Sequence, residues 1–105
     1  MAGKHLFSNS LAATTYTVVG TVPPGKEWSF TIVFCNTTDK IIKIRFAVSS
    51  SGTSTPDDSE LYLKDIELKP NDTLERSGHV AHAGRKVICW ASSTGISVNG
   101  HGYED

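Results

Sequence analysis

Apolar residues along this chain recur at every second position, and no stretch of useful length carries the three-and-four spacing of a helix. The clearest run is 27–36, where Trp28, Phe30, Ile32 and Phe34 alternate with Ser29, Thr31, Val33 and Cys35. Successive side chains of a strand point to opposite faces, so period two with the large residues in one set predicts a half-buried strand. Residues 40–49 repeat the pattern, with Ile42, Ile44, Phe46 and Val48 on one face and Ile41, Lys43, Arg45 and Ala47 on the other. The turn-like Asn36-Thr37-Thr38-Asp39 lies between the two runs, and together they predict a hairpin. Phe30, Ile32, Phe34, Ile44 and Phe46 are the expected core.

Shorter runs complete the set. Residues 14–20 read as a strand stopped by Val22-Pro23-Pro24-Gly25-Lys26, because proline cannot donate to a ladder and glycine permits a turn. Residues 60–68 return to strand, with a bulge before Ile66, and Pro70-Asn71-Asp72 turns the chain into a short strand over 73–78. Residues 79–84 read as a loop, 85–92 and 96–103 as the last two strands. Residues 49–59 are the longest polar stretch, either mobile or an attachment surface. About eight short strands separated by turn signals predict an all-β fold, a single β-sandwich or jelly-roll-like domain of antiparallel strands over 14–105. Residues 1–13, with Leu6, Phe7 and Leu11, carry no long alternation. Two readings stay open there: an arm that contacts another chain, or an edge strand of the chain's own sandwich.

At 105 residues the chain has the length of one ordinary domain, which buries roughly two thirds of its unfolded surface without help from metal or disulfide. Ten Lys and Arg against eleven Asp and Glu leave a net charge of −1, so the basic surplus that drives nucleic-acid binding is missing. No apolar run approaches the ~20 residues of a membrane span, and the first residues lack the apolar core of a signal peptide, so synthesis without Sec export is expected. In that setting Cys35 and Cys89 read as free thiols packed as small hydrophobes rather than as a disulfide. An immunoglobulin domain is excluded: Val87 stands where the tyrosine-corner residue is needed, and neither Trp28 nor Trp90 lies between the cysteines.

The candidate chemistry is thin. G-x-S-x-G, H-E-x-x-H and phosphate-loop signatures are absent. His79 and His82 are close in sequence, but zinc needs three or four ligands and no third is implied by spacing, so they read as solvated loop histidines and no cofactor is expected. Asp57, Asp58 and Glu60 form an acidic loop tip without the ligand spacing of a calcium loop. Trp28 shares a face with Phe30, and Trp90 with Ile88, so both are expected in the core rather than as sugar platforms. Tyr62 and Tyr103 are the better exposed aromatics. With Leu6, Phe7 and Leu11 they make up the expected partner interface.

Three segments carry a resemblance: YTVVGTVPPGKEWSFTIVFCNTT, the section from IKIRFAVSSS to TPDDSELYL, and LERSGHVAHAGRKVICWASSTGISVNGHGYED. Over about residues 14–105 the chain resembles small virion proteins of tailed bacteriophages. The resemblance implies a non-enzymatic β-sandwich, made in the host cytoplasm and carried in the virion. It would dock in many copies on the capsid, as decoration, or on the tail, fibres or baseplate. Its implied partners are itself, as a homo-oligomer with a trimer the first guess, and major capsid or tail proteins. Edge strands offer such a protein backbone for pairing with a neighbour. The alternative from another class is a carbohydrate-binding module at a fibre or particle surface, and an enzyme ranks last.

Overall fold

The computed structural model describes residues 3–49 and 54–105. Eight strands follow one another: β1 (Lys4–Ser10), β2 (Thr17–Thr21), β3 (Trp28–Asn36), β4 (Ile42–Ser49), β5 (Leu61–Leu68), β6 (Thr73–Ala81), β7 (Lys86–Ala91) and β8 (Ile96–Glu104). They form two four-stranded antiparallel sheets, ordered β1-β8-β3-β6 and β2-β7-β4-β5. The pairing is nested: β1 with β8, β2 with β7, β3 with β6, β4 with β5. This is the strand order of a jelly roll, a long antiparallel ribbon folded over into a sandwich.

The interior is made of the period-two faces. Phe30, Ile32 and Phe34 of β3 meet Ile42, Ile44 and Phe46 of β4 across the gap, with Phe30–Phe46 and Phe34–Phe46 ring centroids 6.3 and 6.2 Å apart. Trp28 is buried at the end of the same row, as expected.

The expected hairpin between residues 27–36 and 40–49 does not form. β3 and β4 lie in opposite sheets, and residues 37–41 arch between them. A two-residue hairpin requires positive φ in its turn, and no residue of this arch has one. The arch is instead held by Asn36, which is fully buried. Its amide donates to the carbonyls of Lys40 (2.7 Å) and Leu68 (3.0 Å), and its oxygen accepts from the Thr38 N–H (2.9 Å) and hydroxyl (2.7 Å).

Residues 4–10 are an edge strand paired with β8, so the edge-strand reading is the one observed. Phe7 and Leu11 are buried in the chain's own core, where they have no free surface for a partner. Phe7 stacks on Trp28 at 5.9 Å, in the space left by Gly100, where a Cβ would collide with the Phe7 ring. Leu6 is half-buried at a bulge.

Two further expectations are corrected. The strand read as 73–78 runs on to Ala81, because a bulge at Ser77-Gly78, with Gly78 at φ 82°, lets the ladder resume at His79. Trp90 is not core: Val87, Cys89 and Ala91 face inward, and Trp90 lies half-exposed on the other side of β7. There the Arg45 guanidinium covers its ring at 4.0 Å while bonding Asp65 and Tyr16. Both cysteines are free thiols, Cys35 half-buried and Cys89 buried. The polar stretch 49–59 falls partly outside the described residues; its later part leads into a helical turn at Asp58–Glu60.

All four edge strands are irregular. β1 carries an extra residue at Leu6, β2 at Val19, β5 at Lys64-Asp65 and again at Tyr62, and β6 at Ser77-Gly78. The two central ladders, β3–β8 and β4–β7, have no shift of register. Bulges kink an edge and interrupt its row of free N–H and C=O groups, which opposes strand addition by a neighbour.

Candidate docking groove

The outer face of the first sheet mixes short polar side chains with rings. β3 presents Ser29 and Thr31 outward because its alternate positions fill the core. β8 does the same with Asn99, His101 and Tyr103. A groove of about 690 Å³ crosses this face, floored by Ser29 and Thr31 and framed by His101, Tyr103 and Val80. Gly78 and Gly102 also line it. A Cβ on Gly102 would collide with the Ser29 carbonyl oxygen, so no larger residue fits there.

The rim is nearly uncharged in effect. Lys4 lines it, but its ammonium is held by Glu104 at 2.8 Å. Glu104 also accepts from the Trp28 indole N–H at 2.8 Å, and these two hydrogen bonds, Lys4 first, hold its carboxyl below the ordinary value. Tyr103 is 47% exposed and Val80 45%.

Val80 also lines a second, more polar hollow of about 400 Å³ with Tyr62, Ser59, His82 and Arg85. Tyr62 is 55% exposed, at the side of the sandwich between β5 and β6. Its ring lies 4.9 Å from His79 and 5.4 Å from Phe46. His79 is wedged among Phe30, Phe46 and Tyr62, and burial, with Arg76 adding to it, lowers its pKa. His82 contacts Glu27 at 2.7 Å. The two histidines therefore point to different places, and no group of three His, Cys, Asp or Glu suited to a metal exists among the described residues.

Of the five residues expected at an interface, the fold leaves Tyr62 and Tyr103 exposed on opposite sides of Val80, Leu6 half-buried, and Phe7 and Leu11 inside. The sequence reading missed Val80 and His101. His101 was legible, since it alternates with Tyr103 on a strand; Val80 was not, since its segment read as a loop. No family model matches the chain, no curated protein matches it, and no solved structure matches it.

Proposed function

We propose that this protein is a non-enzymatic structural component of a tailed-phage virion, docking in many copies against a neighbouring subunit through the outer face of its first sheet. The groove framed by Tyr103, Val80 and His101 carries the reading. An apolar hollow with its one lining cation already neutralised fits an uncharged, apolar protrusion of another protein. The bulged edges favour a face over an edge as the contact, which revises the edge-pairing route. The jelly-roll strand order is one that viral capsid proteins and lectins also use.

The test is particle composition. The chain is expected in purified virions, and Tyr103→Ala with Val80→Asp is expected to leave a folded protein that no longer incorporates. Absence of the chain from virions, or normal incorporation of the double variant, refutes the reading. A second reading, carbohydrate binding, is favoured by one observation: the exposed Tyr103 ring stands beside the polar groups of Ser29, Thr31 and His101 in one groove. Glycan-array binding lost with Tyr103→Ala would support it over docking.

A further inference from the structure

We propose that His5 and His101 form half of a divalent transition-metal site, completed by the same pair from a second copy of the chain. This adds a second copy of the chain as a further neighbour at the β1–β8 side of the proposed contact face, and so rests on that reading.

His5 and His101 are directly opposite each other in the β1–β8 ladder. Directly opposite residues of an antiparallel pair project from the same face, with Cβ atoms about 4.5–5.5 Å apart. That face is the outer one, because His101 frames the groove there. Both histidines are exposed, so an ion and a second chain can reach their rings. Two imidazoles at this spacing suit zinc, copper or nickel rather than calcium or magnesium.

The pair is incomplete on its own. Structural zinc takes four nitrogen or sulfur ligands, and this chain supplies two. The next residue in the row, Thr31 opposite His101 on β3, offers only a hydroxyl. Lys4, beside His5, is engaged by Glu104. A two-fold axis through the ion supplies the missing ligands, since it brings the identical pair from a second copy and closes a four-nitrogen tetrahedron. On one side the neighbouring outward pair is Ser8 opposite Asn99, both short; on the other Tyr103 stands outward, so the second copy approaches over the Ser8–Asn99 side.

The experiment uses the full chain stripped with EDTA and titrated with zinc chloride, followed by calorimetry and sedimentation velocity. The expected result is one zinc per two chains, with conversion of monomer to dimer reversed by EDTA. His5→Ala and His101→Ala should each abolish the dimer, while His82→Ala should not. His101→Gln, checked by circular dichroism, serves if an alanine variant misfolds. Zinc bound without dimerisation, a dimer already present after EDTA, or a zinc dimer that survives loss of either histidine overturns the proposal. A chain found in virions but indifferent to zinc removes the metal site and leaves the docking reading intact; a zinc dimer of a chain absent from virions does the reverse.

Discussion

Asn36→Ala tests the arch that sends β3 and β4 into different sheets. The substitution removes four hydrogen bonds at once. The Leu68 carbonyl belongs to a buried residue, and a buried group left without its partner costs about 1–3 kcal/mol. The bonds to Thr38 and Lys40 lie where water reaches, and their loss adds about 1 kcal/mol in total once water substitutes. The expected destabilisation is therefore about 2–4 kcal/mol, which for a chain near 100 residues lowers Tm by roughly 10–25 °C. Asn36→Asp should be at least as damaging, because it loses both donors and places a carboxylate at a fully buried position. Urea unfolding measures both, with the slope of free energy against urea unchanged. A loss below about 1 kcal/mol for Asn36→Ala would show that the arch is held by core packing alone.

Phe34→Ala, at a fully buried position, should cost about 3–5 kcal/mol by the same assay, and less than about 1 kcal/mol would contradict the face assignment. Deleting residues 1–11 removes Phe7 and Leu11 from the core, so the truncated chain should be unfolded by circular dichroism; a folded truncation would argue that β1 is dispensable. The Glu104 carboxyl has a depressed pKa, so its contribution is present above the unfolded value of about 4.3 and lost as pH falls through the lower folded value. The stability gap between the protein and Glu104→Gln should accordingly be flat near neutrality and shrink below about pH 4, and a gap that grows with acid would reverse the sign. Burial pushes the Cys89 thiol up, so Cys89 should resist thiol reagents until the protein is denatured, and reductant should leave Tm unchanged; an intact disulfide by mass spectrometry would refute this.

The strands were legible wherever one face of a run had to fill the core. Phe30, Ile32 and Phe34 announce β3 because a half-buried strand leaves period two in the residues themselves. Which strand pairs with which left no such trace. Ile42, Ile44 and Phe46 have the same alternation whether β4 lies beside β3 or across from it, and the decision rests on backbone angles and on the Asn36 side chain. Trp90 misled for a related reason. Its outward position looks unfavourable until Arg45, from a different strand, covers the ring. The groove is lined by Gly78 of β6 and Gly102 of β8, on either side of β3, a juxtaposition made only by the fold.

The nested strand order also sets a timetable. Only β4 and β5 are neighbours in both sequence and ladder; every other pair joins distant segments, and β1 waits for a partner at residues 96–104. Closing long loops first is entropically unfavourable, so β4–β5 is the natural starting ladder and β1–β8 the last. On the ribosome, β1 emerges before the seven other strands yet stays unpaired until residues 96–104 have been made. The face that bears His101 is thus assembled only once residues 96–104 have been made, and a chain that stops short of β8 cannot present it.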